Sequence, residues 1–303
     1  MENWKNPPLV MSGLVLGLAA LGNLLGAYWL PFRFVLGSIA LLLYLILIFG
    51  MIRHPKEVKK QLYQPLVASV FPTFFMSGML FATYLQQLLG LDFLARALWW
   101  LSFLGNGGLI LFFFWNFTWH FRWEFVFPSW SVLYVGIAVS GLTASVSGAY
   151  EIGQFVFWYG LVATIVVLPF MAIRAYRIGL PEAIKPNIST FCAPVSLLLA
   201  SYINTFPQQI DFRVVWILLL VSQMLYVFVL CQVPNLLRRP FNPGFSAFTF
   251  PFVISATSLK LSVTTLKLPF PYLFGVGVET GVATLLVCYV FWQYLLYLRQ
   301  KAT

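Results

Sequence analysis

The residues able to make or break covalent bonds are few in this 303-residue chain. Cys192, Cys231 and Cys288 lie inside apolar stretches without metal-ligand spacing, and the two histidines, His54 and His120, fall between such stretches. The apolar stretches contain no serine–histidine–aspartate set, no paired aspartates, no HExxH and no glycine-rich phosphate loop. The sequence therefore predicts that the protein is not an enzyme and that it binds no metal or cofactor.

One carboxylate, Glu279, lies inside a long apolar stretch. An ionised carboxylate is costly to place in a membrane, so such a residue is a functional hypothesis by default. We favour an ion pair with Lys260 or Lys267, or a contact with another subunit, over a role in proton coupling. Both interpretations stay open on the sequence alone.

A repeat organises the whole chain. Five prolines each open an apolar stretch that is rich in small and hydroxyl-bearing residues, and a bulkier apolar run follows each stretch. The openers are Pro7, Pro65, Pro128, Pro186 and Pro243. Self-similarity at a fixed period indicates repeated structural units. The alternation predicts five helical hairpins.

The composition is typical of an integral membrane protein: 61% of the residues are hydrophobic, 9% are charged and the mean hydropathy is +0.88. A bilayer core of about 30 Å needs about 20 apolar residues per helix, and ten such windows fit the chain. The predicted all-α spans are 7–28, 35–52, 64–88, 94–117, 127–148, 152–176, 184–204, 213–233, 242–264 and 272–298.

The first span is one copy of the repeat, so we expect it to belong to the mature protein rather than to a signal peptide. Residues 1–303 are expected to form a single transmembrane domain.

The basic residues are unevenly distributed between the two ends of these spans. Thirteen of the 18 lysines and arginines, including Lys5 and Lys301, lie at the termini or after even-numbered spans. The other five are Arg33, Arg96, Arg213, Lys260 and Lys267. By the positive-inside bias both termini are predicted to be cytoplasmic, with the chain in the plasma (inner) membrane. The net charge of +10 is assigned to this topology and to anionic lipid, not to nucleic acid.

The two kinds of span differ in side-chain size. Odd-numbered spans carry small or hydroxyl-bearing residues such as Ser140 and Gly141, whereas even-numbered spans carry large apolar residues such as Phe112 and Phe113. Small residues let helices pack closely or line a polar path. We therefore expect a quasi-fivefold inner ring of five odd helices, surrounded by five even helices whose phenylalanines, Phe113 among them, face lipid.

A second helix breaker follows four of the five openers by seven or eight residues. The breakers are Pro72, Gly136, Pro194 and Pro251, and Val15 takes the corresponding place in the first span. Proline removes a hydrogen-bond donor and displaces the carbonyl four residues earlier, so it kinks or breaks a helix. Broken backbone is tolerated in a membrane chiefly where it is buried in protein or lines a water-filled cavity. These positions, with Phe71 directly before Pro72, are predicted to kink the inner helices and line a pore.

The charge of the inner spans indicates what passes through such a pore. They contain no aspartate or glutamate, and their basic residues are Lys185 at an entrance and Lys260 near the outer end of the ninth span. The positive dipole ends of all five odd helices would surround the cytoplasmic mouth. Such a path favours anions, and the lack of a deep binding charge suits fast conduction.

Two segments resemble the tellurite-resistance/dicarboxylate transporter family, which includes the plant guard-cell slow anion channels. GLVLGLAALGN from Gly13 resembles the family's first helix, and FSAFTFPFVISATSLKLS from Phe245 resembles its ninth. The resemblance implies ten helices in five hairpins around a central pore, usually in a trimer, with a phenylalanine of the ninth helix blocking the pore. That phenylalanine corresponds to Phe250. Val15 departs from the proline that is usual in the family at this position.

Two classes of function stay open. The first is a gated channel that passes small anions such as chloride or nitrate. The second is a coupled carrier or exporter of dicarboxylate, sulfite or tellurium oxyanions. The inner spans lack a titratable carboxylate, which proton-coupled transport usually needs, and this favours the channel.

Overall fold

The computed structural model describes residues 8–300 of the chain. Within that range the chain forms helices joined by short connections, and no strand occurs. Pro7, Lys5 and Lys301, which enter the predictions above, lie outside the described residues.

Nine helical spans within residues 8–300 are long and apolar enough to cross a membrane, and a shorter apolar helix follows the fourth of them. In chain order, α1 to α10 are Leu9–Gly26, Leu30–Arg53, Pro65–Leu89, Asp92–Thr118, Trp130–Leu142, Tyr150–Ile178, Glu182–Thr205, Phe212–Leu230, Pro243–Thr265 and Phe270–Gln300. Two short helices, Pro55–Leu62 and Val233–Leu237, follow α2 and α8. The protein is therefore a multi-pass integral membrane protein built from helices.

The predicted span 127–148 is not one long helix. It consists of short pieces, which are Trp130–Val135, the 3₁₀ turn Gly136–Ala138, Val139–Leu142 and Ala144–Ser147. Glycine and serine are weak helix formers, and this segment is rich in both. The breaker predicted at Gly136 thus coincides with a change from α-helix to 3₁₀-helix.

One helix also ends and another begins near each of the three predicted proline breakers. In α3 the α-helices Pro65–Val70 and Pro72–Leu89 meet at Phe71. In α7 and α9 a 3₁₀ segment gives way to an α-helix, at Ala193 and Phe250 respectively. Each proline falls in the first turn of its new α-helix, where a missing N–H costs no hydrogen bond. By contrast, the α-helix Ser12–Gly26 runs through Val15 without a break.

Burial divides the helices into two groups. In the long odd spans α1, α3, α7 and α9, between 72% and 94% of the most apolar window is buried. In the even spans the corresponding share is between 28% and 39%. The odd helices therefore pack against protein, while the even helices present their large apolar side chains outward, as lipid contact requires.

Phe113 is an exception among the phenylalanines of the even helices, and its predicted contact with lipid is wrong. Its side chain is fully buried and packs against the rings of Phe117, Trp130 and Tyr134. Phe113 lies on the side of α4 that faces α5, and composition alone does not distinguish the two sides of a uniformly apolar helix.

Hydroxyl groups connect the odd segments in sequence. Each link joins residues about 60 positions apart, except the last, which returns from α9 to α1. The links are Ser12 Oγ to Thr73 Oγ1 at 2.6 Å, Ser69 Oγ to Ser129 Oγ at 2.6 Å, Thr190 Oγ1 to Pro128 O at 2.8 Å, Ser189 Oγ to Ala247 O at 2.6 Å and Thr249 Oγ1 to Gly13 O at 2.9 Å. Hydroxyl bridges of this kind stabilise helix contacts where lipid offers no hydrophobic driving force.

The contact between α1 and α9 depends on a glycine. A Cβ atom placed on Gly17 would lie 2.3 Å from Thr249 Cβ and 3.1 Å from the backbone nitrogen of Phe250. Glycine at this position therefore lets the backbone of α1 approach the start of the α9 α-helix.

We expect Gly17→Ala to destabilise the protein by about 1–3 kcal/mol, because the added methyl group overlaps Thr249. The measurement is the midpoint of thermal unfolding in detergent. Gly107→Ala in α4 is the matched control, since a Cβ there meets no atom within 4 Å. Equal midpoints for the two variants would contradict the close approach of α1 and α9.

Candidate functional site

Two cavities lie on opposite sides of the Phe250 ring. The larger has a volume of 420 Å³ and lies toward the C-terminal ends of the odd helices. The smaller has a volume of 20 Å³ and lies toward their N-terminal ends. Among the described residues, Phe250 is the one that borders both cavities, and its side chain is only 5% exposed.

Every odd segment contributes to the larger cavity, and one residue of an even helix joins them. The polar lining residues are Asn23, Arg33, Thr83, Gln87, Thr143, Ser145, Asn204, Thr257 and Lys260. Within residues 8–300 this lining contains two cations and no carboxylate. It is therefore a positively charged and polar space.

Every odd segment also contributes to the smaller cavity. Its lining residues are Gly13, Val70, Thr73, Val132, Asn187, Thr190, Ser246, Ala247, Phe250 and Pro251. None of these residues carries a charge. The side-chain oxygen of Asn187 is buried and accepts no hydrogen bond from the described residues.

The local backbone places Phe250 between the cavities. The 3₁₀ segment of α9 ends at Phe248, and Thr249 takes an irregular conformation, with φ −90° and ψ −83°, before the α-helix begins at Phe250. Thr249 Oγ1 lies 2.9 Å from Gly13 O and 2.7 Å from Ser246 O, so its one hydrogen is shared between the two carbonyls. This shared hydrogen bond holds the break against α1 and the preceding turn, and Phe250 follows directly.

Among the other residues predicted to line a pore or to attract anions, Pro251 borders the smaller cavity and Lys260 the larger. The remaining ones border neither cavity. They are Val15, Phe71, Pro72, Gly136, Pro194 and Lys185.

Phe71 and Lys185 have other contacts. The Phe71 ring is buried and stacks on Phe74, with ring centroids 5.3 Å apart. Lys185 is paired with Glu182, which also accepts a hydrogen bond from Arg239 at 2.9 Å. The charge of Lys185 is therefore largely offset, since one carboxylate lies between two cations.

The predicted ion pair of Glu279 with Lys260 or Lys267 is wrong within the described residues. The Glu279 side chain is buried on α10, where Gln223 and Tyr226 of α8 lie beside it. No cation lies within ion-pair distance of it among residues 8–300, and its Oε2 atom has no hydrogen-bond partner there. Lys260 projects elsewhere, with its Nζ 4.2 Å from the centroid of the Tyr28 ring.

Several lining residues were missed by reasoning from the sequence. Asn23, Thr83, Thr143 and Asn204 recur at spacings of 60, 60 and 61 residues, so the repeat itself carried the signal. Equivalent positions in repeated units tend to face the same space. Arg33 was missed because it lies on an even helix, where the sequence indicates only which side of the membrane its charge lies on.

A protein family described as voltage-dependent anion channels (SLAC1) matches residues 7–296 of the chain. No individual curated protein matches it. The matched range covers α1 to α9 and most of α10, and it confirms the family predicted from the first and ninth helices. Membership of this family supports transport of anions, by a channel or a transporter, across a membrane. The chain belongs to the voltage-dependent anion channel family, in which the tellurite-resistance/dicarboxylate transporters are grouped.

Proposed function

We propose that the protein is a gated channel that conducts small anions, such as chloride or nitrate, through a central pore occluded by Phe250. The observation that carries the proposal is the position of Phe250 between two cavities, each lined by all five odd segments. An apolar ring at a narrow point excludes hydrated ions by size and by dewetting without binding them.

The arrangement of the pore helices is part of this proposal. We infer a quasi-fivefold inner ring in which α1, α3, α5, α7 and α9 surround the pore. Two observations support the ring. Hydroxyl links join consecutive odd segments and close from α9 back to α1. In addition, all five segments reach both cavities.

Selectivity for anions is attributed to charge at the mouth of the pore rather than to its narrow part. The larger cavity is lined by Arg33 and Lys260, and no carboxylate of the described residues lines either cavity. Cations at a mouth raise the local concentration of anions and repel cations. The uncharged narrow part lets an anion leave again, which conduction requires.

We also propose a membrane, an orientation and an oligomeric state for the channel. We place it in the plasma (inner) membrane as a single domain over residues 1–303, with both termini cytoplasmic. The short helix Pro55–Leu62, which carries Lys56, Lys59 and Lys60, lies next to the N-terminal end of α3 and supports this orientation. The resemblance to the tellurite-resistance/dicarboxylate transporters further implies a homo-oligomer, with a trimer favoured.

A coupled carrier is the second candidate, and Glu279 is the observation that favours it. This carboxylate is buried on α10 without a cationic partner in the described chain. A buried carboxylate of this kind is a common element of proton relays in transporters. Glu279 borders neither cavity, however, so it lies outside the pore that we propose.

We expect Phe250→Ala to raise anion conductance about tenfold or more, since each ~1.4 kcal/mol removed from a barrier increases the rate about tenfold. Phe250→Leu should raise it less, because a smaller apolar side chain still narrows the path. The measurement is anion current in planar bilayers or flux into proteoliposomes. Preference for anions over cations should persist in both variants.

The matched control for Phe250 is Phe155→Ala. The Phe155 side chain on α6 is 71% exposed on the outer surface and should not affect the pore. Phe113 does not serve as this control, because its ring is buried against α5. A folded Phe250→Ala protein that conducts no better than wild type would overturn the assignment of the gate.

The Glu279→Gln variant distinguishes a channel mechanism from a carrier mechanism. If the protein is a channel, anion flux driven by membrane potential should need no pH gradient, and Glu279→Gln should alter stability or assembly rather than the pH dependence of flux. The measurement is proteoliposome flux with potential and pH gradient set independently. Flux that requires a proton gradient in wild type and loses that requirement in Glu279→Gln would instead support the carrier.

Orientation can be tested with a membrane-impermeant maleimide on intact cells. In a chain with Cys231 and Cys288 replaced by serine, a cysteine in place of Thr257 in the larger cavity should react, because this cavity opens outward. A cysteine in place of Lys59 should react only after the membrane is permeabilised. Labelling of the Lys59 position in intact cells would reverse the proposed orientation.

A further inference from the structure

We propose that Arg33 and Lys260 form a binding site for an oxyanion in the larger cavity, on the outer side of the gate. The proposal rests on the pore described above, and it adds a ligand class and a pair of residues to it. Its basis is the convergence of two cations from different helices on one cavity that is lined by no carboxylate.

Arg33 comes from the first turn of α2, and its side chain is held in place by α3. The Cζ atom of its guanidinium lies 4.8 Å from the centroid of the Tyr84 ring. Its Nη2 atom lies 3.5 Å from both the carbonyl oxygen and the Oγ1 atom of Thr83, at the long limit for a hydrogen bond. The ring and Thr83 therefore orient the guanidinium without neutralising it.

Lys260 comes from α9, ten residues beyond Phe250, and it also lacks a carboxylate partner among residues 8–300. Its ammonium lies over the Tyr28 ring, which follows α1. A cation–π contact of this kind contributes less than a full ion pair. Neither positive charge of the cavity is therefore paired with a carboxylate of the described residues.

Two uncompensated cations beside one cavity at the end of a membrane helix repel each other and are costly to desolvate. A bound anion would offset both costs. The nearby amide of Asn23 adds polarity, since its Nδ2 donates to Thr83 Oγ1 at 3.3 Å and its Oδ1 is buried without a partner in the described chain.

The type of cation and the size of the cavity favour an oxyanion over a halide. A guanidinium presents parallel N–H donors that match two oxygens of one planar or tetrahedral anion. The cavity, at 420 Å³, has room for a polyatomic anion with its water. We therefore assign the site to nitrate-like, sulfite-like or carboxylate anions in preference to chloride.

A lipid phosphate shares this chemistry and is the competing occupant. Arg33 also borders an apolar groove of 370 Å³ between α2, α3 and α4, which faces the outer surface. Lys260 does not border that groove. Of the spaces described, only the larger cavity is bordered by both cations, and this favours a free oxyanion.

The test measures binding without flux, so that its outcome does not depend on whether Phe250 is the gate. The full chain in detergent is heated in mixtures of sodium nitrate and sodium chloride at constant ionic strength. A ligand that binds the folded state raises the unfolding midpoint with concentration. We expect nitrate to raise the midpoint of the wild type above its value in chloride.

The variants locate the effect. Arg33→Gln should abolish the nitrate-dependent rise of the unfolding midpoint. Lys260→Gln should weaken apparent nitrate affinity about tenfold, equivalent to about 1.4 kcal/mol. Arg33→Lys should respond to nitrate and chloride alike. Arg96→Gln is the matched control, because Arg96 is exposed near the start of α4 and borders none of the three spaces described. It should behave as wild type.

Three results would overturn the site. They are equal midpoints of the wild type in nitrate and chloride, a nitrate response unchanged in Arg33→Gln, and Arg33-dependent stabilisation by phosphatidylglycerol in place of nitrate. If Arg33→Gln does not fold, an unchanged nitrate response in both Arg33→Lys and Lys260→Gln decides against the site. Conversely, a nitrate response that depends on both residues supports the site even if Phe250→Ala fails to open a pore.

Discussion

The need to satisfy every backbone polar group inside a membrane shapes the inner helices. A proline leaves the carbonyl four residues earlier without its helical donor, and lipid offers no substitute. In this protein the neighbouring odd helix supplies one. The 3₁₀ segment of α9 ends just before Pro251, and Ser189 Oγ of α7 donates to the Ala247 carbonyl of that segment at 2.6 Å. The break in one helix is thereby bonded to its neighbour.

A second link lies one helix earlier. The Thr190 carbonyl already accepts the Ala193 N–H, and Thr190 Oγ1 of α7 lies 2.8 Å from Pro128 O at the start of the α5 segment. Because hydroxyl links of this kind join neighbours, a break in one inner helix constrains the position of the next. Phe250 follows directly after a break that is held from both sides, by α7 through Ala247 and by α1 through Gly13.

Much of this fold could be predicted from the sequence because the repeat recurs five times and because bulky and small helices alternate. The predictions that were wrong or missing concern the direction in which individual side chains point. Phe113 and Glu279 lie on helices that are apolar on nearly every side, so periodicity could not show that both point inward. The α5 segment is divided into short pieces because several glycines and serines each lower its helix propensity, whereas the prediction considered Gly136 alone as a breaker. To predict Arg33 as a lining residue, one must know which helix end faces the larger cavity, and only the tertiary structure shows this.

The hydroxyl groups that line the cavities show how a polar path can avoid holding an anion. Thr257 Oγ1 donates to Val253 O at 2.8 Å, and Thr73 Oγ1 lies 2.8 Å from Val70 O as donor. A hydroxyl has one hydrogen, so a hydroxyl that donates to its own helix presents lone pairs rather than a donor to the cavity. Lone pairs interact with water but do not attract anions. In the channel that we propose, attraction is consequently left to the cations of the larger cavity. The path beyond them would provide wetting without a second strong site, which is the balance between entry and release that conduction requires.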